Sequence, residues 1–155
     1  MPKSSAGLLP YRGSAEALEV FLVHPGGPFW AKKDAAAWSI AKGEIATGEE
    51  PLAAAQREFA EETGFTLDGP FTGLGTIKTA GGKIIHAFAV LAPELDPTRI
   101  VSNTFELEWP PRSGRLAEFP EVDRAAWFTL EIASVKIHLS QAGFLSRLRT
   151  QLASQ

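Results

Sequence analysis

The segment Gly43-Glu44-Ile45-Ala46-Thr47-Gly48-Glu49, followed by Arg57-Glu58-Phe59-Ala60-Glu61-Glu62-Thr63-Gly64-Phe65, decides how the rest of the chain is read. From Glu50 to Thr63 the residues are mostly Ala, Leu, Glu, Gln and Arg, all strong helix formers. Pro51 suits a first helical turn, where no amide partner is lost, and Gly64 suits the position just past the end. A helix is therefore predicted over 50–63. On it Glu58, Glu61 and Glu62 are related as i, i+3 and i+4 and share one sector. Leu52, Ala55, Phe59 and Thr63 fill the neighbouring sector and are expected to anchor the helix to a sheet. Ala54, one turn before Glu58, is expected to keep the acidic face uncluttered.

Three like charges this close repel one another. A divalent cation reverses that, because hard carboxylate oxygens suit Mg²⁺ or Mn²⁺, which also retain water and phosphate oxygens. Taken alone, an acidic helix face is more often merely solvated. The wider spacing outweighs that reading. Gly43, Glu49, Arg57, Glu58, Phe59, Glu61, Glu62, Gly64 and Phe65 fit G-x5-E-x7-R-E-u-x-E-E-x-G-u, where u is a large apolar residue. With common residues each near one in fifteen, the seven fixed identities coincide by chance about once in 10⁸ windows.

That pattern is the signature of the Nudix hydrolase superfamily, which this chain resembles at every specified position. Phe59 stands where aliphatic residues are commoner, and Ala41 where a proline often precedes the Lys-Gly pair. The resemblance implies a Nudix-like α/β/α sandwich with a curved mixed β-sheet, spanning one domain over 1–155. It implies that Glu58, Glu61 and Glu62 ligate Mg²⁺, with Mn²⁺ a possible substitute, and that the Gly43 carbonyl adds an oxygen. Arg57 and Glu49 are implied to fix the loop against the helix. The activity implied is water attack on a pyrophosphate linkage in a nucleoside diphosphate bonded to a further group, with a carboxylate taking the proton. Two candidates for that base stay open. One is Glu58; the other is Glu121, six positions ahead of Trp127, where family members often place an acidic residue. Glu118 is a weaker rival.

Outward from the signature, the chain alternates short apolar runs and turns. Ser5 to Tyr11 and Leu18 to His24 read as strands joined by Arg12-Gly13-Ser14-Ala15, and Trp38 to Ala41 as a brief extended piece. Phe71 to Thr79 and Lys83 to Leu91 flank Ala80-Gly81-Gly82 as a hairpin. Thr104 to Trp109 and Ala125 to Leu130 read as further strands, and Gln141 to Leu152 as a terminal amphipathic helix. The 155 residues carry a formal net charge of -3 and no cysteine. Disulfide scaffolds, thiolate zinc sites and cysteine nucleophiles are thereby excluded. No general basic field exists for a nucleic-acid polymer. The longest apolar run, Ile84 to Pro93, is broken by His86 and is too short to span a bilayer. Met1-Pro2-Lys3-Ser4-Ser5 lacks the apolar core of a secretory signal, so the expected location is the cytoplasm. The composition leaves the oligomeric state open.

The expected partner is a small nucleotide. Lys42, beside the signature glycine, and Lys83, at the start of a strand, are placed to meet its phosphate oxygens. Lys83 ahead of an aromatic strand, with Trp38-Ser39-Ile40-Ala41-Lys42-Gly43, is similar to the diadenosine polyphosphate hydrolase branch. His86 is a lesser candidate for a phosphate contact. Phe29, Trp30 and Trp109 could stack on a base. Arg112 and Arg115 could reach a distal phosphate. The leading expectation is a hydrolase of dinucleoside polyphosphates or single (d)NTPs in the MutT manner. The alternative is a catalytically quiet nucleotide-binding or sensing module of the same fold. A third is an interaction domain working through Trp109-Pro110-Pro111.

Overall fold

The computed structural model describes residues 3–154. Six strands form one sheet: β1 (Ser4–Arg12), β2 (Glu19–Pro25), β3 (Ala41–Glu44), β4 (Phe71–Lys78), β5 (Ile84–Leu91) and β8 (Val122–Thr129). Their order is β4-β5-β1-β2-β8, with β3 also on β1. β6 (Thr104–Glu108) and β7 (Leu116–Pro120) make a separate antiparallel ribbon. The helices are α1 (Pro51–Thr63), α2 (Leu130–Lys136) and α3 (Ala142–Ala153).

Alternation along the strands explains the layers. Ala6, Leu8, Phe21 and Val23 face Ala54, Ala55 and Phe59 of α1. Val20, Leu22, Ile85 and Ala87 turn to the opposite side, against Phe144, Leu145 and Leu148 of α3 and Ala133 of α2. The mixed sheet lies between helices, as the resemblance implied. Phe59 is fully buried and meets Phe21 with ring centroids 6.1 Å apart, so the aromatic departure from the signature is absorbed by packing. Leu52 is only half-buried. Ala54, expected to leave the acidic face open, is instead sealed in the core beside Ala55. Pro51 sits in the first turn, and Gly64 ends the helix at φ 80°, its N–H donating to the Ala60 carbonyl at 2.8 Å.

One edge of β1 is shared. Its start pairs antiparallel with β3, Ser5 opposite Glu44 through Leu8 opposite Ala41, and its end pairs with β2 at Tyr11 and Arg12. β3 is thus wedged where β1 and β2 diverge. Gly7 permits this: a side chain there would begin 2.6 Å from the Ala41 carbonyl oxygen. The extended piece expected at Trp38 to Ala41 lies further on, since Trp38 and Ser39 make only isolated bridges, to Ile137 and Val23, and the strand starts at Ala41. β7 and α2 were not anticipated.

Two buried polar side chains fix the elements around β3. Gln141, which is buried, accepts from the Ile40 N–H at 3.0 Å and from Ser39 Oγ at 3.3 Å. His24, fully buried, places Nδ1 2.8 Å from Asp123 and Nε2 2.6 Å from the Lys33 carbonyl, tying the end of β2 to the start of β8 and to the loop between β2 and β3. Among the described residues no buried side-chain nitrogen or oxygen lacks a partner. Gln141→Leu would strand the Ile40 amide and is expected to cost about 1–3 kcal/mol. Urea unfolding should show a lower midpoint with an unchanged slope.

Candidate functional site

Arg57 joins loop and helix. Its Nε and Nη2 donate to the two oxygens of Glu49 at 2.9 and 3.0 Å, and Nη2 also reaches the Glu44 carbonyl at 3.0 Å. Glu49 in turn accepts from the Ala46 N–H at 2.9 Å. The guanidinium holds the Glu49 carboxyl down at about 2, with the Ala46 amide helping. Glu49 and the carbonyl of Glu44, the residue after Gly43, are thereby pinned to α1, the two-pronged geometry being stronger than an ordinary surface pair.

The third guanidinium nitrogen, Nη1, donates to Glu58 at 2.8 Å and lies 3.4 Å from Glu61. Glu58 is seated directly against Gly43: a Cβ at that position would overlap its carboxyl group. Glu62, one turn on, is buried. Its carboxyl is pushed up to about 9, first by burial, then by the negative charges of Glu58 and Glu121, with Lys42 opposing. The Glu121 carboxyl is also raised, by burial and then by Glu58 and Glu61. Glu121 occupies the joint between β7 and β8, its N–H donating to Asn103 and its carbonyl accepting from Gly26. A pocket of about 150 Å³ lies between Glu62, Glu121, Lys42 and Ser39. The fold thus brings Glu121, remote in sequence, to the acidic helix.

Among the described residues no three acidic or histidine side chains are drawn together around a point fit for a metal ion, and Arg57 engages both Glu58 and Glu61. The donor set nevertheless suits a hard divalent cation. Glu58, Glu61, Glu62 and Glu121 offer carboxylate oxygens, and the absence of a Cβ at Gly43 lets a carboxylate lie against the backbone. A buried carboxyl raised this far holds its proton at neutral pH, and a cation relieves the same crowding.

Lys42 and Lys83 stand on the other side of Gly43, in a cavity of about 820 Å³ also walled by Lys3, Lys78, His138 and Gln141. Burial lowers the pKa of Lys42; Glu62 opposes that and Lys83 adds to it. Lys3, Lys78 and His138 were not singled out from sequence. Lys78 could have been, since it and Lys83 flank the hairpin turn, whereas His138 follows the unanticipated α2. Phe29 and Trp109 pack edge to face at 5.5 Å, and Glu118, Arg112 and Arg115 are exposed on or beside the ribbon. His86 sits mid-strand in β5 and is half-buried.

The NUDIX domain model matches residues 1–148. No curated protein matches the chain in sequence. Among solved structures, a C. elegans Ap4A hydrolase binary complex is 24% identical over 99% of this chain and 99% of its own, with a TM-score of 0.63. The NUDIX domain of Shewanella oneidensis NrtR, complexed with ADP ribose, is 15% identical over 98% and 89%, at 0.67. A NUDIX hydrolase from Nitrosomonas europaea is 17% identical over 98% and 91%, at 0.64. These likenesses carry the fold, and no helix among the described residues is long and apolar enough to cross a membrane. With the family model matched along nearly the whole chain, the chain belongs to the NUDIX domain family.

Proposed function

We propose that this chain is a Mg²⁺-dependent hydrolase of nucleoside polyphosphates, of the dinucleoside polyphosphate or (d)NTP class, with Mn²⁺ able to substitute. The observation that carries this reading is the junction at Lys42-Gly43. Lys42 shares one pocket with Glu62 and Glu121, Glu58 lies against Gly43, and both Lys42 and Gly43 also wall the cavity that holds Lys3, Lys78 and Lys83. An anhydride bridging that junction has its leaving phosphates among cations and its attacked phosphorus beside oxygen donors. The C. elegans neighbour is an Ap4A hydrolase and the Shewanella domain is complexed with ADP ribose; both named compounds contain linked phosphates.

In this reading Glu58, Glu61, Glu62 and the Gly43 carbonyl hold the metal, which when bound neutralises charge developing on the phosphoryl oxygens. Glu58 is kept in place by Arg57 and by the bare Cα of Gly43. Glu121 takes the proton from the attacking water, because its carboxylate has no ion-pair partner among the described residues while Glu58 is engaged by Arg57. The water oxygen bonds to phosphorus, the bridging P–O bond breaks, and the departing phosphate oxygen carries off the electron pair. Lys42 and Lys83 hold that leaving group.

Glu58→Gln and Glu62→Gln are expected to lower kcat by roughly 10³-fold or more with the fold retained. Steady-state rates on a panel of diphosphate-linked compounds with Mg²⁺, alongside circular dichroism, check this. Wild-type rates in both variants would remove the metal-ligand role. Glu121→Gln should lower kcat by about 10²–10⁴-fold while leaving Mn²⁺ affinity within about threefold, measured by calorimetry. Gly43→Ala should displace the Glu58 carboxyl and reduce kcat/KM by about 10²-fold or more, with a nearly unchanged melting midpoint. Absence of turnover for every diphosphate-linked compound would overturn the hydrolase reading.

A further inference from the structure

A helix leaves its last carbonyls without intrahelical partners, and those of α1 are answered partly by the segment that precedes β6. Gly64 takes the Ala60 carbonyl, the Val101 N–H takes the Thr63 carbonyl and the Asn103 N–H takes the Glu61 carbonyl, each at 2.8 Å. Asn103 passes the connection on, since its own carbonyl accepts the Glu121 N–H at 2.8 Å. One residue therefore joins the backbone of Glu61, on the acidic helix, to that of Glu121. The Glu121 carbonyl accepts from the Gly26 N–H at 2.9 Å, so both of its polar backbone groups are engaged. Ser102 supplies the side chain of this connection. Its Oγ donates to the Asn103 carbonyl at 2.8 Å and accepts the Val122 N–H at 3.0 Å. Val122 is buried and opens β8 directly after Glu121. One hydroxyl thus ties the residue that receives the Glu121 amide to the residue that follows Glu121. Ser102 lines neither the pocket of Glu62 and Glu121 nor the lysine-walled cavity. The Glu121 carboxylate, for its part, makes no ion pair among the described residues, and the charges that bear on it, those of Glu58 and Glu61, repel it. Its direction is set by its backbone.

We propose that Ser102 is a positioning residue for the hydrolysis: it holds the Glu121 backbone so that the carboxylate stays directed at the acidic helix against that repulsion. The proposal rests on the reading of Glu121 as the proton acceptor and deepens it. Without the hydroxyl, Glu121 keeps its own bonds to Asn103 and Gly26, but the Val122 N–H is released and the joint between β7 and β8 can turn about the Asn103 contact. Repulsion then carries the carboxylate away from Glu58 and Glu61. A proton acceptor must lie within about 2.6–3.2 Å of its donor, and a displacement of about 1 Å can cost as much as 10²-fold in rate. The carboxylates of α1 are held by Arg57 and do not depend on Ser102. The loss therefore falls on the chemical step and spares metal and substrate binding.

The test is a double-mutant cycle on the full chain, using the diphosphate-linked compound that the wild type hydrolyses fastest and Mn²⁺ as the calorimetric probe. Ser102→Ala should lower kcat by about 10–100-fold, with KM and Mn²⁺ affinity within about threefold of wild type. Ser102→Thr, which keeps the hydroxyl, should recover kcat to within about threefold. In a Glu121→Gln background Ser102→Ala should change kcat by less than about threefold, because no proton acceptor is left to aim. A serine that only stabilised the fold would slow both backgrounds alike. Circular dichroism checks the fold, and Ser102→Cys, which retains the shape and weakens the hydrogen bonds, makes the same comparison should the alanine variant unfold. Wild-type kcat in Ser102→Ala, an equal loss in both backgrounds, or a threonine variant as slow as the alanine one overturns the proposal and leaves the role of Glu121 standing. Wild-type kcat in Glu121→Gln alone removes the proton-acceptor reading and the positioning role together, so the two failures are distinguishable.

Discussion

Mutual repulsion among Glu58, Glu61, Glu62 and Glu121 is the interaction around which the site is arranged. Two unit charges 4 Å apart at an effective dielectric near 20 interact by about 4 kcal/mol, enough to matter against the stability of an ordinary domain. The chain answers with one guanidinium. Arg57 takes Glu49 with one edge and Glu58 with its remaining nitrogen, and so fixes the loop and balances part of the helix charge together. Glu62 has no such partner. Burial and its acidic neighbours raise its carboxyl to about 9, the behaviour of a group whose surroundings suit it as an anion only when a cation is near.

This arrangement depends on where β3 lies. β3 is four residues long and could not hold its place by its own ladder. It is held from three sides: Gly7 lets its backbone close on β1, Gln141 satisfies the amide just before it, and Arg57 takes the Glu44 carbonyl at its end. The His24 clamp acts likewise at the far side, since Asp123 lies two residues beyond Glu121. Acidic groups from separate segments thus meet because buried polar side chains, and not the hydrophobic core alone, set the register of short elements.

Much of this was legible in the sequence, for reasons that differ by element. Helix α1 declared itself because propensity, Pro51, Gly64 and the 3.6-residue spacing of its glutamates agree. The hairpin of β4 and β5 is local and carries its own turn. Ribbon strand β7 was missed because Leu116–Pro120 ends in proline and acquires its strand character only by pairing with β6 across a loop. Helix α2 was missed because its seven residues follow β8 directly and make too few turns to show a helical repeat. Ala54 was misplaced for a subtler reason. A helical wheel gives the angle of a residue and not the depth to which a twisted sheet rises around it, and the sheet covers this position completely. Lys3 and Lys78 were passed over because isolated lysines carry no signal until the sheet sets them around one space.

The two sides of the Lys42-Gly43 step make a single electrostatic device. An anhydride is attacked most readily where negative charge can leave toward cations while the attacking oxygen is steered from elsewhere. If lysines stood among the glutamates, each would neutralise the other and neither metal nor phosphate would be attracted. Lys3, Lys78 and Lys83 wall a cavity that Glu62 and Glu121 do not line, and Lys42 borders both spaces: half-buried, its pKa is lowered first by burial and further by Lys83, with Glu62 opposing. Its backbone pairs with Gly7, so it cannot drift toward either side without breaking the β1–β3 ladder. The short strand, held by Gln141 just before it and by Arg57 at its end, therefore fixes the polarity of the site as well as its position.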